Sequence, residues 1–153
     1  MNDTSPWVIE LSTAGRAKLV NRSGAPAFVL HDAMLQPSRL ELSSADGKLI
    51  AARDTRAVMK FDNNAYRESF QSVAAGAELA LFELEISPSG QGFELGWGPF
   101  RFAAVPRGSY QARVSFESSR DQYLDPDTRR SHKLTGVWLG SATSNAVTLS
   151  IPP

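Results

Sequence analysis

The chain has 153 residues, with sixteen lysines and arginines against sixteen aspartates and glutamates, two histidines and no cysteine. That length suits one domain, residues 1–153, whose core is large enough to need no disulfide or metal staple. Balanced charge argues against nucleic acid or an anionic membrane as partner, since both favour basic stripes, and no apolar run approaches the length of a transmembrane helix.

The opening MNDTSPWVIEL lacks a basic stretch leading into an apolar one, so it does not read as a signal peptide. The expected location is cytoplasmic, or periplasmic if a leader has been removed. AKLVNRSGAPAFVL reads as two strand segments divided by Ser23-Gly24-Ala25-Pro26. RLELSSADGKLIAA reads as a hairpin in which Asp46-Gly47 supplies the turn. TRAVMKF is a short candidate strand, and NNAYRESFQSVAAG is the best candidate helix. AELALFELEI is a longer strand whose apolar face changes phase between Leu81 and Phe82, which predicts a β-bulge or burial on both sides. FELGW and FRFAAV flank Gly98-Pro99 as a tight pair. In SYQARVSFE, Tyr110, Ala112, Val114 and Phe116 fall on one face, and in NAVTLSI the residues Val147, Leu149 and Ile151 alternate with polar ones. Such period-two patterns predict half-buried antiparallel strands. Many short strands between Gly/Pro turns predict an all-β antiparallel sandwich of about seven to nine strands, with little helix.

GSYQA at Gly108–Ala112 resembles the start of strand F in bacterial immunoglobulin-like and fibronectin-type sandwiches, and VWLG followed by SNAVTLSI is similar to their closing segment. The resemblance covers the last third of the chain. It implies an immunoglobulin-like plan in which Tyr110 is the strand-F tyrosine and Ala112 stands where antibody domains carry a cysteine. It implies no activity, because such sandwiches host unrelated functions.

Chemistry-bearing groups are sparse. His31-Asp32 pairs a base with a carboxylate, but only His132 remains to join it, so a strand end followed by a turn is the expectation. An enzyme would require His132 and a further polar group to converge on that pair. No Gly-x-Ser-x-Gly elbow is present, and the four glycines of GQGFELGWG lack the spacing of a phosphate loop. Asp121, Asp125 and Asp127 lack the spacing and glycine of a calcium loop and read as solvated. Asn2-Asp3-Thr4 and Asn21-Arg22-Ser23 have glycosylation spacing, which carries no weight without a secretory signal. No metal or cofactor is expected.

The segment 117–134, ESSRDQYLDPDTRRSHKL, joins the two clearest strands and is too long for an ordinary hairpin loop. It either folds back on the sandwich through Tyr123 and Leu124 or serves as a recognition loop anchored by Tyr123, Leu124, Arg129 and Arg130, residue types common in interface hot spots. The expected function is therefore a non-catalytic protein-interaction module: an inhibitor, adaptor or accessory factor with a protein partner. A carbohydrate-binding module stacking sugars on Trp97 and Trp138 is the alternative, with alternation turning Trp138 outward. AELALFELEI could also pair two copies if it forms a sheet edge.

Overall fold

A computed structural model describes residues 6–153, in which sixteen strands and two short 3₁₀ turns follow one another. The first part of the chain forms β1 (Trp7–Leu11), β2 (Arg16–Asn21), β3 (Ala27–Leu30), β4 (Arg39–Ser44), β5 (Leu49–Ile50) and β6 (Arg53–Asp54). The turns Thr55–Val58 and Arg67–Ser69 come next, then β7 (Phe70–Val73), β8 (Glu78–Glu83), β9 (Glu85–Ser89), β10 (Gly92–Trp97) and β11 (Phe100–Val105). The last part holds β12 (Gly108–Ser118), β13 (Gln122–Asp125), β14 (Arg130–Lys133), β15 (Gly140–Thr143) and β16 (Val147–Ile151). Every paired strand is antiparallel to its neighbour, and no sheet among the described residues closes on itself.

β12 organises one sheet. Its alternation buries Tyr110, Ala112, Val114 and Phe116, as the pattern of SYQARVSFE predicts. β4 covers one of its edges from Tyr110 to Ser115. The other edge is shared, β16 pairing with Gly108–Ala112 and β15 with Ser115–Ser118. Between those two strands the buried Ser144 donates its backbone N–H to the Val114 carbonyl at 2.8 Å, and its hydroxyl accepts the Val114 N–H at 2.9 Å. The ladder thus continues through a side chain where the backbone breaks. Tyr110 donates its hydroxyl hydrogen to the Pro106 carbonyl at 2.6 Å and so fixes the corner before β12.

A second sheet has the order β1-β2-β8, and β3 and β7 form a separate two-stranded sheet. The break at Ser23–Pro26 is closed by Asn21, which has 0% exposure. Its Nδ2 donates to the carbonyls of Ala25 (2.9 Å) and Val73 (3.0 Å), while its Oδ1 accepts from the Ser23 N–H (2.9 Å) and hydroxyl (2.6 Å). A phase change near Leu81 and Phe82 is present as a bulge: β8 advances three residues from Ala80 to Glu83 while β2 advances two, and both Leu81 and Phe82 are half-buried.

The third sheet, β6-β11-β10-β9, contains the Gly98-Pro99 hairpin. Gly98 has φ +56°, the left-handed conformation glycine tolerates, and a Cβ there would lie 2.4 Å from the Phe82 ring. β11 carries an extra residue opposite Phe93–Leu95, with Ala104 in the left-handed region at φ 52°. The Asp46-Gly47 turn joins β4 to β5, with Gly47 at φ 84°.

Side chains from all three sheets enter one core, in which Leu19, Val29, Leu42, Trp97, Phe102 and Val114 are almost fully enclosed. Burying each large apolar group of this kind contributes about 1.5–3 kcal/mol. A smaller cluster of Leu30, Leu35, Ala65 and Phe70 lies apart, flanked by Phe28, Tyr123, Leu134 and Val137.

Three expectations are corrected. The described residues form sixteen strands rather than seven to nine, because short pairings such as Leu49–Ile50 on β4 and Arg53–Asp54 on β11 leave no alternation in the sequence. TRAVMKF is not a strand: Thr55–Val58 is a 3₁₀ turn capped by Asp54, whose carboxylate accepts the Arg56 N–H, and Met59–Phe61 join no strand among the described residues. NNAYRESFQSVAAG is not a helix. β3 presents an edge of matching length, and Phe70–Val73 pairs with it residue for residue, so tertiary pairing overrides a weak helical pattern. Asn2-Asp3-Thr4 lies outside the described residues.

Candidate recognition surface

The segment expected as a long loop is largely strand. Its first two residues, Glu117 and Ser118, end β12, and its middle forms the β13–β14 hairpin, pairing Gln122–Asp125 with Lys133–Arg130. Asp125 organises the turn: its carboxylate accepts the Asp127 N–H at 2.9 Å and its carbonyl accepts the Arg129 N–H at 2.7 Å. Arg129 then sits at φ 56°, an unusual conformation for a residue with a side chain.

The four proposed anchors separate into two pairs. Tyr123 and Leu124 are half-buried, Tyr123 packing on the smaller cluster and stacking with His132 at 5.7 Å between ring centres. Arg129 and Arg130 are exposed at the hairpin tip. The aromatic side chain thus serves mainly to seat the hairpin, leaving charge at its tip. Asp121 faces Lys133 and Asp125 faces His132, each at 3.8 Å, so these carboxylates lie along the hairpin's own basic groups.

The hairpin is tied to the segment that follows the first 3₁₀ turn. Arg120 donates to the Asn63 carbonyl (3.0 Å) and side-chain oxygen (3.2 Å), and the Leu124 N–H donates to the Ala65 carbonyl at 2.7 Å. Asp62 orders the same stretch by accepting from the Tyr66 hydroxyl and from the backbone and side chain of Asn64. The Tyr66 hydroxyl holds the Asp62 carboxyl below the usual carboxylate range, and that carboxylate in turn raises the Tyr66 phenol. Immediately before this anchored stretch stand Val58 (88% exposed), Met59 (51%) and Phe61 (37%). Their signal is an apolar run without the alternation that burial on one face demands.

The tryptophans do not form a platform. Trp97 has 0% exposure and donates its indole N–H to the buried Ser38 hydroxyl at 3.2 Å, so neither ring face can meet a sugar. Trp138 is half-buried. It stacks on Trp7 at 4.8 Å and lies within 14° of parallel to Phe116, and residues 136–139 do not form a strand that would turn it outward. His31 donates its backbone N–H to the Ser69 carbonyl at 2.9 Å. Asp32 closes a turn by accepting the N–H groups of Met34 and Leu35, while His132 is engaged with Tyr123 and Asp125 in the hairpin. Asn21, of the second glycosylation spacing, is enclosed with both ends of its amide in hydrogen bonds. β8 and β9, the strands of AELALFELEI, each lie at the end of a sheet.

A charged cluster lies near the other end of the first 3₁₀ turn. Arg56 grips Asp54 through Nε (3.0 Å) and Nη2 (2.8 Å), and its Nη1 reaches the Met34 carbonyl at 2.9 Å. That guanidinium hydrogen bond holds the Asp54 carboxyl below its ordinary value, with the Arg56 N–H and the nearby Arg39 adding to the effect against the cost of desolvation. Arg39 and Arg56 also lie 5.1 and 5.8 Å from the centre of the Phe100 ring. Compared with family models, curated proteins and solved structures, the chain matches none.

Proposed function

We propose that this chain is a non-catalytic protein-interaction domain on an immunoglobulin-like plan. Support for the plan comes from strand order. β1-β2-β8 corresponds to the A-B-E order of such sandwiches, and β12 flanked by β4 and by β15 and β16 corresponds to F between C and G. The Tyr110 hydroxyl bonded to a carbonyl four residues upstream is the matching corner.

The observation that carries the interaction reading is the exposed apolar run Val58, Met59 and Phe61, on a segment whose continuation is pinned to the β13–β14 hairpin. Apolar side chains grouped on an ordered surface are a mark of a binding face. Arg129 and Arg130 would form a basic rim to it, suited to carboxylates on the partner. In this reading Tyr123 and Leu124 position the hairpin rather than anchor the partner.

The test is quantitative capture of partners by the intact protein and by a Val58→Ser, Met59→Ser, Phe61→Ser variant, with thermal midpoints compared. All three side chains are exposed, so the variant is expected to fold normally. A protein retained by the parent and lost from the variant supports the proposal. Identical retention by both, or none by either, removes its basis.

A further inference from the structure

The outer face of the β4–β12–β15 sheet holds a cavity of about 300 Å³, separate from the surface proposed above. Cross-strand register builds its polar floor. Arg39 on β4 stands opposite Ser115 on β12, which stands opposite Thr143 on β15. The next outward residue on β12, Glu117, stands opposite Ser141. Leu35, Gln36, Pro37 and Arg56 complete the wall.

Two charges in this cavity are unspent. Among the described residues, neither Arg39 nor Glu117 belongs to an ion pair. The nearby Asp54 is gripped by Arg56 through both oxygens, and Arg39, although its charge acts on that carboxyl, forms no ion pair with it among the described residues. Arg39 is further directed by its position over Phe100, 5.1 Å from the ring centre. Arg39 and Glu117 stand diagonally on adjacent strands, a spacing of roughly 7–8 Å that long side chains can span, and both border the cavity with no ion pair between them. A cation and an anion therefore face one cavity across a floor of three hydroxyls, without neutralising each other.

We infer that this cavity is a binding site for a small zwitterion of the α-amino-acid class. The ligand's carboxylate meets the guanidinium of Arg39, which can engage it with two parallel N–H donors. Its ammonium meets the Glu117 carboxylate. The hydroxyls of Ser115, Ser141 and Thr143 serve the remaining polar groups, each able to donate or accept. A simple anion would satisfy one wall and leave Glu117 facing like charge, whereas a simple cation would do the same to Arg39. The requirement for both charges in one molecule is what gives the site its selectivity.

The experiment is amide-resolved NMR titration of the full chain with L-serine, and separately with acetate and with methylammonium. L-serine is expected to shift the amides of Ser115, Glu117, Ser141 and Thr143 saturably, and to bind about tenfold or more tighter than either half-molecule. Arg39→Gln and Glu117→Gln should each abolish that advantage. Both side chains are exposed, and an unchanged spectrum elsewhere verifies the fold. Acetate binding as well as L-serine would overturn the zwitterion assignment. So would shifts unaffected by both substitutions, or no saturable shift with any probe. None of these outcomes depends on Val58, Met59 or Phe61, so the two proposals fail independently.

Discussion

Replacing Asn21 with alanine removes four hydrogen bonds from a site that water does not reach. Two of the lost partners, the Ser23 N–H and hydroxyl, belong to an exposed residue and can turn to solvent, as can the carbonyl of the exposed Ala25. The Val73 carbonyl differs: its bond to Asn21 is buried, and alanine offers it nothing. Leaving that acceptor unsatisfied costs about 1–3 kcal/mol, and the exchange of the other bonds for water adds a few tenths to about 1 kcal/mol each. The total is about 3 kcal/mol, a large share of the roughly 5–15 kcal/mol that holds a domain together. Equilibrium urea unfolding, followed by the fluorescence of the buried Trp97, measures it directly. A loss below about 1 kcal/mol at unchanged m-value would refute the claim that the amide closes the break between β2 and β3.

Asn21→Asp sharpens the test, because it keeps the acceptor but turns a carboxylate toward two carbonyls. Burial must raise its folded pKa above the unfolded value near ~3.9. Its penalty should then grow as pH rises through that interval and be smallest below it.

Ala104→Gly is expected to stabilise the chain by up to about 1 kcal/mol, since relief of the left-handed conformation at φ 52° outweighs the added freedom of the unfolded chain; a lowered urea midpoint would count against this. Because Asp54 has a depressed folded pKa, its contribution is present above the unfolded value of 3.8 and lost as pH falls through the folded one. The thermal midpoint of Asp54→Asn should therefore fall less steeply than that of the parent between ~pH 5 and ~pH 2; parallel slopes would mean the Arg56 contact adds nothing.

What could be read from the chain depended on whether a residue's neighbours in sequence were also its constraint. β12 and β16 were legible because one face of each is buried, and alternation records that. The turns at Gly47 and Gly98 were legible because positive φ selects glycine. β14 was not: Arg130, Ser131, His132 and Lys133 are all exposed, and only their pairing with β13 makes them a strand. β1 was not legible either: Trp7–Leu11 is only five residues long, and its pairing with β2 makes it a strand. Of the proposed surfaces, the basic tip is visible as Arg129-Arg130, whereas the enclosure of Trp97 and the placing of Arg39 and Glu117 at one cavity are products of tertiary pairing that no local pattern carries.

The division of one flank of β12 between β15 and β16 has a consequence for motion. Backbone hydrogen bonds open in cooperative units whose size follows the elements that cover them. Here one long strand is covered in two pieces, joined at the side chain of Ser144. Loss of β16 would bare Gly108–Ala112 and leave β15 in place, and the reverse holds for Ser115–Ser118. The sheet can therefore breathe at either end without baring a continuous edge for another chain to join.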